Sequence, residues 1–152
     1  MYLRCVKSIT THVWWQLAKF KPYLILKISA VLAVCMGCEP KGLLCNFGKK
    51  LCDLCDQRQL DNPKHILFEC NALMDYRNSK LQIVIETMPQ AMAVSFQNFS
   101  IEDKMAFLLS GLHCSTYIDE WSAIMIKTCD FVYGIYHLRK SKYDSKATDA
   151  IT

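Results

Sequence analysis

Glycine and proline are scarce in this chain of 152 residues, which contains five of the former and four of the latter. Apolar residues make up 52% of the composition, so the chain lacks the polar bias that keeps long segments disordered. A single domain of this size buries about 70% of its unfolded surface, enough for a core without disulfide bonds. We therefore expect one ordinary folded domain, or a small module with a helical extension.

An apolar run long enough to cross a bilayer is also missing. The run from Tyr23 to Met36 has fourteen residues and includes Lys27, whereas a spanning helix needs about twenty apolar residues. Its length permits a helix and its β-branched residues permit strands, so periodicity does not decide between them. We expect a buried element here and do not expect a membrane as partner.

Motifs that carry enzyme chemistry are absent as well. The chain has no P-loop, no G-x-G-x-x-G, no H-E-x-x-H and no G-x-S-x-G. It also lacks the Asp-Asp pair of a polymerase, whose carboxylates hold two metal ions during nucleotidyl transfer. His113 and Cys114 are adjacent, which is no evidence for a catalytic pair. We therefore expect no catalytic residues and no enzymatic activity.

Acidic residues are nearly missing from the first third of the chain. Residues 1–51 contain eight lysines and arginines and a single acidic residue, Glu39. Residues 52–130 reverse this balance, with six basic and eleven acidic residues. The asymmetry predicts that an anionic partner contacts the N-terminal part.

Cysteine, by contrast, is abundant. Nine is an odd number, and no recognisable secretory signal precedes these cysteines, which favours a reducing compartment over a disulfide framework. We expect an intracellular protein, nuclear or cytoplasmic.

Three of these cysteines and a histidine lie within nineteen positions. Cys52 and Cys55 form a C-x-x-C pair, and His65 and Cys70 follow as H-x-x-x-x-C. The intervening Asp-Asn-Pro at 61–63 is a strong turn signal that reverses the chain. Because Zn²⁺ prefers a closed tetrahedron of sulfur and nitrogen ligands, we predict a structural zinc site at these four residues.

A second zinc-ligand set competes with the first. Cys35 and Cys38 form another C-x-x-C, and with Cys52 and Cys55 they would complete a four-cysteine site of zinc-ribbon spacing. This set leaves His65 and Cys70 without a role, and Cys35 ends an apolar run where a buried thiol is common. Both sets remain open from the sequence.

The remaining pattern predicts a mainly α fold, with a small zinc-stapled knuckle followed by a helical extension. Within the extension, a helix ends near Pro89, residues 90–99 form a linker, Ser100 caps a short helix, and a long helix begins near Ser115. We interpret Arg139 as a partner of that helix's dipole. The predicted order is an amphipathic helix over 1–22, an apolar segment and irregular approach over 23–48, the knuckle over 49–71, a helical region over 72–140 and a disordered tail over 141–152.

Four basic residues in or beside the knuckle are candidates for phosphate contacts: Lys49, Lys50, Arg58 and Lys64. Phosphate binding needs lysines and arginines to displace counterions. From the first predicted ligand to the last, residues 52–70 nevertheless contain four acidic and two basic residues, and three thiolates with Zn²⁺ add a further negative charge. The four basic side chains would therefore have to share one side.

The segment from about Leu51 to Lys140 resembles the C-terminal end of the reverse-transcriptase polyprotein of non-LTR retrotransposons. The matching features are C-D-L-C at 52–55, H-I-L-F-E-C at 65–70, Tyr76-Arg77, F-S-I-E-D-K at 99–104 and the helix closing near Leu138-Arg139. The apolar segment from Tyr23 to Cys38 departs from the family, which has arginine and glycine there. The resemblance implies a fragment of an RNA-directed DNA polymerase polyprotein from a transposable element, binding template RNA or target DNA through a CCHC-type zinc knuckle.

A different class of function also fits these residues. A zinc-stapled module could bind another protein and have no role with nucleic acid, and the acidic knuckle favours this alternative. The steep salt dependence of phosphate contacts distinguishes the two functions.

Overall fold

Helices dominate the computed structural model, which describes residues 13–35, 51–110 and 118–150. No strand forms within these ranges; Leu51 and Leu60 make one isolated antiparallel bridge. The mainly α fold predicted from the sequence is thereby confirmed. The helices are α1 (Val13–Phe20), α2 (Ile25–Cys35), α3 (Met74–Glu86), α4 (Gln90–Asn98), α5 (Ile101–Ser110) and α6 (Ile118–Asp149).

The first two helices resolve the ambiguity of the apolar run. Helix α1 ends before Pro22, as the sequence predicts, and the 3₁₀ turn Pro22–Leu24 leads into α2. Because apolar side chains cover most of its circumference, α2 lies largely buried against the rest of the protein. Residues 1–12 and 36–50, which include parts of both predicted N-terminal segments, lie outside the described residues.

Helix α6 is the central element and packs against both α2 and α3. At its crossing with α3, a Cβ built on Gly134 would overlap the Tyr76 hydroxyl oxygen, so alanine at this position would force the Tyr76 ring to shift. The core gathers apolar side chains from almost every described element, among them Trp14, Leu17, Ile28, Val31, Leu67, Val84, Phe96, Met105, Phe131, Val132 and Ile135.

The predicted linker over 90–99 is wrong, because Gln90–Asn98 forms α4. Pro89 occupies the N-cap, a position that needs no helical N–H, and Phe96 is the one fully buried residue of this helix. The cap at the next helix is confirmed: the Asp103 amide donates to Ser100 Oγ at 3.1 Å.

The predicted disordered tail over 141–152 is also wrong as far as the structure describes it. Helix α6 continues to Asp149, and Tyr143 and Lys146 in its last turns contact the backbone of Asp53 in the knuckle. No described helix combines the length and apolar character needed to span a membrane.

Candidate metal centre

The structure brings together the four residues that the sequence predicts as zinc ligands. One ligand atom from each of Cys52, Cys55, His65 and Cys70 lies within 4.8 Å of all the others. Cys52 Sγ is 4.0 Å from Cys70 Sγ, and Cys55 Sγ is 3.3 Å from His65 Nε2. A zinc tetrahedron with Zn–S bonds of about 2.3 Å has S···S edges of about 3.8 Å. The distance between Cys52 Sγ and Cys70 Sγ is close to this value, and the cluster as a whole is compatible with a metal site.

A tight reversal of the chain positions the first two ligands. The Cys52 amide donates to the Gln59 carbonyl at 2.8 Å, next to the Leu51–Leu60 bridge. Arg58 has a φ of 50°, the left-handed conformation that a non-glycine residue adopts at some cost. These contacts close the loop and turn Cys52 and Cys55 toward one point.

A single wide helical turn positions the other two ligands. Asn62 Oδ1 accepts a hydrogen bond from the His65 amide at 2.9 Å, so Asn62 caps the start of the turn. His65–Glu69 is π-helical, and the Cys70 amide donates to the His65 carbonyl at 2.7 Å. This i→i+5 bond places His65 and Cys70 at the two ends of one turn, a geometry that often occurs at functional sites.

Burial favours the uncharged forms of Cys52, His65 and Cys70 when no cation is present. Desolvation raises the pKa of the Cys70 thiol to about 12 and also raises the pKa of Cys52. Desolvation lowers the pKa of His65, which favours the neutral imidazole that ligates metal. A bound divalent cation would supply the charge that deprotonates the thiols.

Glu69 lies next to the histidine ligand. His65 Nδ1 is buried without a hydrogen-bond partner among the described residues, and Glu69 Oε2 lies 4.0 Å away. Metal-bound histidines usually donate this second N–H to a carboxylate or carbonyl, which fixes the ring orientation. Glu69 is therefore placed to orient His65 once a metal draws the site together.

The end of α6 and the start of α3 hold the knuckle against the helical body. Arg139 forms a fully buried ion pair with Asp61, and Lys146 Nζ donates to the Asp53 carbonyl at 2.7 Å. Arg77 Nη1 donates to the carbonyl of the ligand Cys70 at 3.0 Å. Sequence reasoning missed these anchors: it assigned Arg139 to the helix dipole, and only the fold reveals a partner 78 positions away.

The structure describes two of the four residues predicted to contact phosphate, Arg58 and Lys64. Lys64 Nζ lies 2.6 Å from Glu102 Oε1 and 3.4 Å from Glu69 Oε1, so its charge is already balanced. Arg58 is exposed on the turn of the knuckle. Lys49 and Lys50 lie outside the described residues.

The three described residues of the alternative four-cysteine set, Cys35, Cys52 and Cys55, do not form one cluster. Cys35 is buried at the end of α2, and its Sγ lies 3.4 Å from the Leu109 carbonyl oxygen. It does not belong to the cluster of Cys52 and Cys55, and burial raises the pKa of its thiol to about 12. Cys38 lies outside the described residues.

Comparison with known proteins adds no relative. No protein-family model, no curated protein and no solved structure matches the chain. The functional interpretation therefore depends on the chemistry and surroundings of the cluster.

Proposed function

We propose that the chain is a zinc-stapled helical module that associates with RNA or DNA. The observation that carries the zinc part is the convergence of three sulfur atoms and one imidazole nitrogen within 4.8 Å. Four protein ligands complete a tetrahedron and leave no open position for a water or substrate. We therefore propose that the metal is structural and takes no part in catalysis.

The zinc ion would join two short loops that have little secondary structure of their own. Apart from one bridge and one turn, the knuckle makes few internal backbone hydrogen bonds. Apparent binding free energies of about 10–16 kcal/mol for structural zinc exceed the stability of most domains, so such sites fold with their metal. Metal binding would therefore order the loops on which α6 is anchored.

Two sequence features support nucleic acid as the partner. The knuckle and the segments after it resemble the C-terminal region of non-LTR retrotransposon reverse transcriptases, and residues 1–51 carry a strong basic excess. Without the polymerase carboxylates, the module would position template RNA or target DNA and leave nucleotide transfer to another domain.

Arg58 is the best knuckle candidate for a phosphate contact, because its side chain is exposed. Lys64 must first leave Glu69 and Glu102, so its contribution should be smaller. Both would act without regard to base sequence, as phosphate contacts do.

Fluorescence anisotropy with labelled single-stranded RNA, and with a DNA duplex, tests the proposal. We expect the logarithm of the binding constant to fall linearly with the logarithm of salt concentration. The slope is negative, and each lost phosphate contact makes it shallower by about 0.7 for single strands and 0.9 for duplex. Arg58→Gln should therefore make the slope measurably shallower. Lys142→Gln, which alters an exposed lysine of α6, is the matched control. Absence of salt-dependent binding at low salt would contradict the nucleic-acid role.

A protein-interaction module is the second candidate, favoured by the acidic surroundings of the site. Asp53 and Asp56 are in the knuckle, three thiolates with Zn²⁺ add negative charge, and Lys64 is already paired. If zinc binds stoichiometrically while no RNA or DNA binds, this candidate replaces the first.

A further inference from the structure

An exposed apolar and aromatic group marks the corner between α1 and α2. Phe20 is 80% exposed, Tyr23 is 72% exposed and Leu26 is 71% exposed, the three highest values among the exposed large hydrophobic residues of the described chain. Their neighbours Leu17 and Leu24 are almost fully buried, so the corner is anchored to the core while its outer side chains face solvent. We call residues Lys19 to Leu26 the aromatic–basic corner.

The backbone of this corner is held in place. The Lys21 amide donates to the Leu17 carbonyl at 2.8 Å, and the Leu24 amide donates to the Lys21 carbonyl at 3.0 Å. Pro22 fixes its own φ and starts the 3₁₀ turn. A ligand would therefore meet Phe20 and Tyr23 on an ordered backbone, which lowers the entropic cost of binding.

The segment that carries the exposed rings contains basic residues and lacks acidic ones. Lys19 and Lys21 flank Phe20, and residues 13–35 contain no acidic residue. Lys27 pairs with Asp130 of α6 and so does not add to the corner's charge. Aromatic rings interleaved with lysines match the chemistry of a nucleic-acid strand, whose bases stack and whose phosphates need cations.

We infer that the aromatic–basic corner binds single-stranded nucleic acid, with bases stacking on Phe20 and Tyr23 and phosphates contacting Lys19 and Lys21. The inference rests on the proposed association with nucleic acid and adds a second contact surface, outside the knuckle. Single strands are favoured over duplex because only unpaired bases expose their faces for stacking.

An anionic membrane surface fits the corner less well. A helix that lies in a membrane interface presents a continuous apolar face. The apolar residues of α2 that follow the corner, such as Ile28 and Val31, are instead buried in the protein core. Ile25 and Leu26 are the exposed aliphatic side chains of the corner, so together with the two rings they form a short apolar patch and not a continuous helix face.

The test is anisotropy titration of the full zinc-loaded chain with a labelled single-stranded oligonucleotide of about 16 nucleotides, a typical site size. Stacking is worth about 1–3 kcal/mol per base, so removing both rings in Phe20→Ala/Tyr23→Ala should weaken binding at least about thirtyfold. Lys19→Gln/Lys21→Gln should make the negative slope of log binding constant against log salt concentration shallower by about 1.4, or 0.7 for each phosphate contact. Ile83→Ala/Val94→Ala, which removes exposed apolar side chains from α3 and α4, is the matched control and should change little.

Each outcome separates this inference from the proposed function. If the wild type binds the oligonucleotide and Phe20→Ala/Tyr23→Ala binds as tightly as the control, the corner is not a contact surface, although the proposed function stands. If the wild type binds no oligonucleotide at low salt, both fail. Binding to phosphatidylserine vesicles that requires Phe20 and Tyr23, with oligonucleotide affinity unchanged, would assign the corner to a membrane and overturn the inference. Circular dichroism of each variant verifies that these surface substitutions leave the helices intact.

Discussion

Removing the buried ion pair between Arg139 and Asp61 tests whether it holds the knuckle against α6. Arg139 is 1% exposed and Asp61 is fully buried, and Arg139 Nη2 also lies 3.3 Å from the Tyr143 hydroxyl. Removing one partner leaves the other charge buried, which typically costs about 3–5 kcal/mol. We expect Arg139→Met to lower the free energy of unfolding by about that amount, a large share of the roughly 5–15 kcal/mol of a typical domain.

Urea denaturation followed by circular dichroism measures this loss. Zinc must be in constant excess, because a ligand bound only to the folded state adds to the measured stability. Asp61→Asn should also destabilise, and the double variant should lose less than the sum, with a coupling energy of about 1–3 kcal/mol. Lys140→Ala is the control: its exposed pair with Asp144, one turn further along α6, is worth only about 0.3–0.5 kcal/mol.

Two results would contradict a stabilising role of this ion pair. Arg139→Met could lower the free energy of unfolding no more than the control does, or the losses of the two single substitutions could be strictly additive. Either result would mean that solvent reaches both charges and that the knuckle is not anchored on α6 through this pair.

Three further changes have definite expected outcomes. Trp14→Phe should lower the melting temperature by about 2–6 °C, because Nε1 donates to the Leu109 carbonyl at 2.7 Å in the core and such a bond is worth about 1 kcal/mol. Trp15→Phe should change it little, since Trp15 Nε1 has no hydrogen-bond partner among the residues that the structure describes. Gly134→Ala should destabilise by about 1–3 kcal/mol in urea denaturation despite alanine's higher helix propensity, and adding Tyr76→Phe should recover part of the loss by removing the clashing oxygen. Glu69→Ala should weaken zinc affinity about tenfold in a chelator competition, because it removes the carboxylate 4.0 Å from His65 Nδ1. Glu102→Ala, which removes the other carboxylate paired with Lys64, should leave zinc affinity unchanged.

A different measurement would contradict each of these three predictions. Equal melting temperatures for the two tryptophan variants would remove the role of the buried hydrogen bond. A stabilised Gly134→Ala would mean that the Tyr76 ring can move aside at little cost. Equal zinc affinities for the Glu69 and Glu102 variants would show that Glu69 does not orient the histidine.

The metal cluster was predictable from the sequence because its constraints are local. C-x-x-C, H-x-x-x-x-C and an intervening turn bring four ligands together whatever the rest of the chain does. Spacing alone could not exclude the set with Cys35, since both sets satisfy the same rule. The structure places Cys35 beside Leu109, and that contact depends on helix packing.

The end of α6 was not predictable, because its stability comes from contacts distant in sequence. A polar stretch such as residues 141–149 has no apolar periodicity to indicate a helix. Tyr143, half-buried against the Asp53 amide, and Lys146 give this stretch tertiary contacts that a local pattern does not contain. Helix α4 escaped prediction for a related reason, since a single fully buried side chain, Phe96, sets no period.

Elemental analysis of zinc in protein purified without chelator is the most direct test of the four-ligand metal site. We predict one zinc ion per chain in the wild type, lost in His65→Ala and retained in Cys38→Ala. Chelation of the wild type should also reduce its stability, because the binding energy of structural zinc contributes to folding. Zinc retained in His65→Ala but lost in Cys38→Ala, or no zinc at all in the wild type, would contradict the assignment of Cys52, Cys55, His65 and Cys70 as the metal ligands.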